Sequence, residues 1–198
     1  MRCWKWTVIV GILVTVLGVT SLPAGAQEQE KEIPDLGWKA GMWRLELSGW
    51  TGLHSGRRSR SGDFGFTGSA TYEIPMKQHL TVGLRTYPFI VYDQDISGLD
   101  TVYALGFGPD MRVYSNGEEH RGFFLELNVG LIVQHGKFNG NSGTFNFLEE
   151  IGVGWKFKRD WHVGLKMRHM SNAGLADHNS GVNNVGLAVG YTFKPRKK

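Results

Sequence analysis

The feature that most constrains the fold is an alternation of large apolar residues with small or polar residues, which recurs in eight segments. Side chains of a β-strand point to opposite faces in turn, so this alternation predicts strands with one apolar and one polar face. Long apolar helical runs are absent after the first 26 residues, which favours an all-β chain. The predicted strands lie near residues 43–51, 64–74, 78–86, 103–113, 123–133, 145–157, 160–167 and 184–193.

The composition of the two faces favours a membrane barrel. The apolar face is rich in aromatic residues, as expected for a wall that contacts lipid near the membrane interfaces. The polar face combines glycines and alanines with charges of both signs, which suits a crowded lumen in which opposite charges pair. The charged residues predicted to line this lumen are Arg44, Glu46, Glu73, Arg85, Asp110, Arg112, Glu126, Glu150, Lys166 and Arg168.

Eight strands of about ten residues match a small closed barrel whose interior is filled by side chains. We therefore expect an eight-stranded antiparallel transmembrane β-barrel. A lipocalin-like soluble barrel, with the apolar face inside, is the alternative, because periodicity does not say which face points inward. The connections alternate between short turns and longer polar loops, as in barrels with short periplasmic turns and longer external loops. The predicted longer loops cover residues 54–63, 89–100, 136–143 and 172–182.

The first predicted external loop carries a cluster of basic residues. Arg57, Arg58 and Arg60 lie within seven residues of its start. We expect them either to contact lipid phosphates or to form a solvated charge cluster, and the sequence favours neither alternative.

The first 26 residues have the pattern of a cleaved export signal. Arg2 and Lys5 flank the start, residues 7–22 form an apolar run, and Ala24 to Ala26 are small residues suited to cleavage. The run is short for a bilayer-spanning helix, which favours export over an uncleaved anchor. Cys3 is the only cysteine, so the mature chain is expected to have neither disulfides nor thiol chemistry.

The remaining residues, 27–198, are one domain by length, with a polar lead at 27–32 and a basic tail at 194–198. Loss of two basic residues with the signal lowers the formal charge from +4 to +2. So small a charge gives no argument for nucleic-acid binding, and no nucleic-acid motif occurs. Three of the histidines, considered as metal ligands, show no metal-ligand spacing. These are His120, His135 and His178.

The seventh predicted strand carries a candidate catalytic pair. Its apolar face includes Trp161 and Met167 and continues through His169 to Ser171 at the loop end. A histidine can act as base toward a neighbouring serine hydroxyl, which is the core of nucleophilic acyl transfer. If the apolar face meets lipid, the pair lies on the outer wall. A His-x-Ser pair alone is a weak signal, whose default explanation is a surface pair with no catalytic role.

Two segments give this pair a context. His169 to Gly174 reads His-Met-Ser-Asn-Ala-Gly, and residues 179–183 read Asn-Ser-Gly-Val-Asn. Together they resemble the outer-membrane lipid A 3-O-deacylase family (PagL-like). The local match covers residues 168–193, and the eight-strand pattern extends it over the mature chain. The resemblance implies a multi-pass carboxylic ester hydrolase of the bacterial outer membrane that uses no metal or other cofactor. Its partner would be lipid A of lipopolysaccharide in the outer leaflet, and a homodimer stays open.

The resemblance also implies roles for single residues. Ser171 corresponds to the nucleophile and His169 to the base. Asn183 stands where the best-known members have an acidic residue; an amide can orient the imidazole but supplies no negative charge to it. The groups that correspond to oxyanion-stabilising donors are the backbone of Asn172, Ala173 and Gly174, together with Asn179.

The register of strands six and seven predicts a second partner for the histidine. Alignment of their apolar faces across the short turn pairs Phe157 with Trp161. Counting back from this pair places Glu149 directly opposite His169, with Cβ atoms about 5 Å apart. We expect Glu149 to support His169 with Asn183 or in its place, and the alternative is a solvated carboxylate above the hydrocarbon.

Two other functions stay open at this point. One is a non-catalytic small barrel of structural or adhesion type, which the departure at Asn183 motivates. The other is an outer-membrane phospholipase or acyltransferase, which would apply the same nucleophilic chemistry to phospholipid.

Overall fold

A computed structural model describes residues 41–54, 59–95 and 101–194 of the chain. These residues form a closed antiparallel barrel in which consecutive strands pair and the first strand pairs with the last. The eight-stranded barrel predicted from the sequence is therefore confirmed. Its strands are β1 (Met42–Gly52), β2 (Phe64–Pro75), β3 (Leu80–Asp93), β4 (Val102–Asn116), β5 (Arg121–His135), β6 (Phe145–Lys156), β7 (Trp161–Ser171) and β8 (Val182–Phe193).

Several predicted segments fall outside these ranges. The predicted export signal at 1–26, the polar lead at 27–32 and residues 195–198 of the basic tail lie outside the described residues. Within the described ranges, no helix has the length and apolar character needed to cross a membrane.

The barrel wall is apolar outside and polar inside. All ten charged residues predicted for the lumen are at most 4% exposed. Large apolar side chains of the same strands face outward, and Leu187 of β8 is 70% exposed. A soluble barrel requires the opposite distribution, because water does not stabilise an apolar outer wall of this extent. The lipocalin-like alternative is therefore wrong.

The charges of the lumen form one connected network of ion pairs. The guanidinium of Arg85 lies 2.9 Å from carboxylate oxygens of both Asp110 and Glu126. The ammonium of Lys166 lies 2.6 Å from Glu126 and also contacts Glu46. The ten residues comprise five acidic and five basic side chains, so their formal charges balance. Such pairing is what makes charges tolerable in a buried interior.

Near the long loops the lumen contains an apolar cluster. Phe138, from the loop between β5 and β6, packs its ring edge against Tyr92 with centroids 5.3 Å apart. Met170 of β7 is fully buried in the same cluster. The cluster therefore holds the loop end of β7 from inside. Its members are Tyr87, Ile90, Tyr92, Val102, Ala104, Ile132, Phe138, Leu148, Met170 and Val182.

The third strand differs from its prediction. The sequence pattern ends this strand at residue 86 and predicts a loop over 89–100, whereas the strand continues to Asp93. A bulge between Tyr87 and Ile90 shifts the pairing register with β4. The bulge moves the buried positions from odd to even residue numbers, so the alternation loses its phase although the strand continues. The predicted start of this loop at residue 89 is therefore wrong.

Candidate active site

Ser171 is the last residue of β7, and His169 precedes it by two positions on the same face. Both side chains are partly exposed, whereas Met170 between them points into the lumen. The two candidates therefore lie on the outer wall, at the barrel end that carries the longer loops. Among the described residues, no hydrogen bond joins the Ser171 hydroxyl to the imidazole. The contact depends on side-chain rotation, because neighbours at i and i+2 share a face of the strand.

Asn183 of β8 is a hydrogen-bond partner of His169. The two residues pair across the β7–β8 ladder, and Asn183 Oδ1 lies 2.6 Å from His169 Nδ1. An amide oxygen only accepts hydrogen bonds, so the imidazole carries its proton on Nδ1. The lone pair of Nε2 then stays available for a hydroxyl proton, which is the tautomer that a serine's general base requires.

Glu149 of β6 flanks His169 on the other side. The β6–β7 ladder pairs these two residues directly, as the apolar-face alignment predicted. The same ladder pairs Ile151 with Met167, and no bulge interrupts the register between the two strands. Directly opposed residues have Cβ atoms about 5 Å apart, so the carboxylate of Glu149 is within reach of the imidazole. In the described part of the chain, no hydrogen bond connects them.

Gly181 packs against the imidazole of His169. A Cβ atom built on Gly181 would lie 2.5 Å from Cε1 and 3.3 Å from Nε2 of the ring. Only glycine therefore leaves room for the ring in its present orientation. The sequence motif contains this glycine, but nothing in the strand pattern indicates that it adjoins the histidine.

The turn after β7 contains two residues with left-handed backbone conformation. Ala173 has φ 52° and Gly174 has φ 85°. This conformation costs a non-glycine residue about 1–2 kcal/mol, so other contacts must hold the turn. The N–H of Gly174 donates to Asn172 Oδ1 at 2.9 Å, and the N–H of Asn172 donates to Asn179 Oδ1 at 3.1 Å.

These bonds separate the expected oxyanion donors into two groups. The N–H of Asn172 already donates to the side chain of Asn179, and the N–H of Gly174 to the side chain of Asn172. The N–H of Ala173 forms no hydrogen bond with any described residue. Asn179 is exposed, and its Oδ1 accepts a hydrogen bond from the N–H of Asn172, the residue that follows Ser171. The Nδ2 of Asn179 therefore lies near the serine. Ala173 and Asn179 are thus the two candidates that have a hydrogen-bond donor available for an oxyanion.

The three arginines of the first long loop fall in different parts of the chain. Arg57 and Arg58 lie outside the described residues. Arg60 is 1% exposed and donates from Nη2 to the carbonyl oxygen of Asn139 at 2.6 Å. Its Nη1 also lies 3.8 Å from the Asp63 carboxylate. Arg60 therefore joins the first long loop to the loop between β5 and β6. This buried position differs from both alternatives, a contact with lipid phosphates and a solvated charge cluster.

Across residues 41–54, 59–95 and 101–194, no group of three or more His, Cys, Asp or Glu side chains is arranged to hold a metal ion.

Comparisons with known proteins relate this chain to named relatives. A protein of Pseudomonas aeruginosa named lipid A deacylase PagL is 32% identical over 88 residues, which are 43% of this chain and 50% of that protein. A protein of Bordetella bronchiseptica with the same name is 31% identical over 78 residues, or 36% of this chain and 42% of that protein. The chain thus spans half or less of the length of the curated relatives it matches.

A solved structure has the same fold. The crystal structure of the outer membrane enzyme PagL superposes with a TM-score of 0.62 at 18% identity, and the match covers 75% of this chain and 98% of that one. A family model, described as Lipid A 3-O-deacylase (PagL), matches residues 35–192. Because this match covers most of the chain, the protein belongs to the PagL family of lipid A 3-O-deacylases.

Proposed function

We propose that the protein is a serine esterase of the bacterial outer membrane that removes the 3-O-linked acyl chain of lipid A. One observation carries the proposal: an outward-facing serine lies two residues from a histidine whose Nδ1 is hydrogen-bonded to Asn183. The family name supports the reaction. The apolar outer wall supports the location, because the acyl chains of lipid A then lie in the same lipid phase as the site.

Ser171 is the proposed nucleophile. Its Oγ attacks the carbonyl carbon of the 3-O-linked ester while Nε2 of His169 accepts the hydroxyl proton. The hydrogen bond between Nδ1 of His169 and Asn183 keeps the ring in the tautomer that this step needs. The attack forms a tetrahedral intermediate whose carbonyl oxygen carries the negative charge.

The oxyanion is stabilised by donors that the turn after β7 presents. The N–H of Ala173 and the Nδ2 amide of Asn179 are the proposed donors, and such groups typically lower the barrier by about 3–4 kcal/mol each. As the intermediate collapses, His169 returns its proton to the departing sugar oxygen. Water, activated by the same imidazole, then hydrolyses the acyl-enzyme and releases the fatty acid.

Protonation of His169 creates a positive charge that Asn183 does not balance. Glu149 is the carboxylate that directly flanks the ring across the sheet. We assign it the supporting electrostatic role and assign Asn183 the orientation of the ring. This division lets residues of the two strands that flank β7 do what a single acidic residue does in a Ser-His-Asp arrangement.

An assay with purified protein separates this function from the alternatives. The refolded barrel is incubated with lipid A or with phospholipid, and the products are separated by mass. Loss of the 3-O-acyl chain from lipid A supports the proposal. Fatty-acid release from phospholipid, or acyl transfer between lipids, supports a phospholipase or acyltransferase, and no turnover supports a non-catalytic barrel.

The homodimer considered from the sequence has no support in the comparisons, and the proposed mechanism uses a single barrel.

A further inference from the structure

A run of buried amide side chains joins the loop between β5 and β6 to the residue that follows the candidate nucleophile. Asn172 Nδ2 donates to Asn141 Oδ1 at 2.8 Å, and Asn141 Nδ2 donates to Asn146 Oδ1 at 2.7 Å. Asn146 Nδ2 then donates to Gln134 Oε1 at 3.0 Å. All four side chains are at most 6% exposed. We call these four residues the amide chain.

Every polar atom of the Asn172 side chain takes part in a hydrogen bond. Its Oδ1 accepts the N–H of Gly174 at 2.9 Å, and its Nδ2 donates both to Asn141 and to the carbonyl oxygen of His178 at 2.9 Å. No polar atom of this side chain is left to face a substrate. The side chain of Asn172 therefore holds the turn in place.

Asn141 contacts both segments that carry the proposed oxyanion donors. Its side chain binds Asn172, and its backbone forms an isolated β-bridge with Asn179. Two backbone hydrogen bonds flank the bridge: Ser180 N–H to Gly140 O at 2.8 Å, and Ser142 N–H to His178 O at 3.0 Å. One residue of the β5–β6 loop thus connects the turn after Ser171 with the asparagine opposite it.

We propose that Asn141 and Asn146 are positioning residues of the catalytic site. They hold the turn after Ser171 so that the N–H of Ala173 and the amide of Asn179 face the carbonyl oxygen, an inference that rests on the proposed deacylase function. The left-handed conformation of Ala173 persists only while surrounding contacts impose it. Loss of the Asn141 side chain leaves buried amide groups without partners, so the turn moves toward a conformation in which water satisfies them.

The kinetic test uses Asn141→Ala and a more conservative change. Asn141→Ala removes the side-chain hydrogen bonds to Asn172 and Asn146 and leaves the backbone bridge to Asn179. It is expected to lower kcat for lipid A by about 100-fold, because small misplacements of catalytic groups have effects of this size. KM is expected to stay at the wild-type value, since the outer wall that contacts the acyl chains is unchanged. Asn141→Asp keeps the acceptor for Asn172 and Gly143 and is expected to recover part of the lost kcat.

Gln94→Ala is the matched control. Gln94 is also a buried amide bound to the β5–β6 loop: it donates to the carbonyl oxygen of Lys137 at 3.1 Å and accepts the N–H of Asn139 at 2.7 Å. It has no contact with Asn172 among the described hydrogen bonds, so its removal is expected to leave kcat unchanged. A loss in Gln94→Ala equal to that in Asn141→Ala would show general loosening of the loop and overturn the proposal.

A second measurement does not depend on activity. Amide hydrogen exchange of residues 172–175 is expected to accelerate in Asn141→Ala and to stay at the wild-type rate in Gln94→Ala. Wild-type exchange or wild-type kcat in folded Asn141→Ala overturns the positioning role. If wild-type protein does not deacylate lipid A, the proposed function fails, and the exchange rates alone decide about the positioning. If Asn141→Ala does not fold, Asn146→Ala is tested in its place. Asn146 lies one hydrogen bond further from the turn, so a smaller effect is expected.

Discussion

At the scale of single residues, His169 is surrounded by three neighbours with different effects. Asn183 accepts a hydrogen bond from its Nδ1, Glu149 faces it across β6, and Gly181 leaves room for its ring. A neutral amide and a nearby carboxylate are distinct ways to assist an imidazole that becomes positively charged during the reaction. Their separate contributions can be measured by adding a charge at position 183 in one variant and removing the charge of Glu149 in another.

Asn183→Asp and Glu149→Gln are expected to change the rate in opposite directions. Asn183→Asp puts a negative charge on the hydrogen bond to His169, and a charge-assisted bond is stronger by about 1 kcal/mol, so kcat should rise about fivefold. Glu149→Gln removes the flanking charge and should lower kcat about tenfold, which corresponds to about 1.4 kcal/mol. Steady-state kinetics on lipid A measures both, and full activity in Glu149→Gln would refute the supporting role of that carboxylate.

Gly181→Ala is expected to abolish most of the activity without unfolding the barrel. The new methyl group would overlap the imidazole, which must rotate away from the serine, and displacements of this kind lower rates by about 100-fold. Gly49→Ala on β1 is the control, because a Cβ there meets its nearest neighbour, in Phe66, at 3.8 Å. Equal turnover by both variants and wild type would mean that the ring does not need its present position.

At the scale of strands, the site depends on how β7 is anchored at its loop end. Met170 lies between the two candidate catalytic residues and is buried in the apolar cluster inside the barrel. Met167, three positions earlier, is 55% exposed on the outer wall. A methionine thus occurs on each face of the same strand. Substitutions at the two positions therefore separate the effect of burial in the lumen from the effect of contact with lipid.

Met170→Ala is expected to lower the free energy of unfolding by about 2–5 kcal/mol, as other large-to-small changes in buried positions do. Met167→Ala removes atoms from the outer wall, where lipid or detergent fills the space, so its effect should be smaller. Urea unfolding in matched detergent micelles compares the two. A larger loss for Met167→Ala would argue against the apolar cluster as the anchor of β7.

The sequence predicted some of these relationships because they follow from a period of two. The register of β6 and β7, and with it the pairing of Glu149 with His169, results from a short turn between strands with aligned apolar faces. The end of β3 was missed because its bulge changes the phase of the alternation. The contacts of Arg60 and Asn141 do not follow from the sequence, because their partners lie in other loops and no periodic pattern relates one loop to another.

At the scale of the whole molecule, the balanced charges inside the barrel allow an apolar outer wall. Arg85 lies in the middle of the network, with three carboxylates within 3.0 Å. Because each charge has partners of the opposite sign, the polar interior is compatible with a fold whose exterior is apolar. The catalytic candidates stand on that exterior, so substrate chains need not enter the lumen.

Arg85→Met is expected to lower the free energy of unfolding by about 3–5 kcal/mol, since it leaves buried carboxylates without their central partner. Arg121→Met is the control: its pair with Glu119, at 2.8 Å, lies at the surface, where such pairs contribute about 0–1 kcal/mol. Denaturant titration of both variants measures the difference. Equal stability of the two would contradict a structural role for the network in the lumen.

The central claim is that Ser171 is the nucleophile of a lipid A 3-O-deacylase, and mass spectrometry of lipid A tests it most directly. Lipid A is extracted from cells that express the wild-type protein or Ser171→Ala at equal levels in the outer membrane. We predict the loss of one 3-linked hydroxyacyl chain with the wild type and intact lipid A with the variant. Equal loss with both proteins would remove Ser171 from this role, and intact lipid A with both would contradict the proposed function.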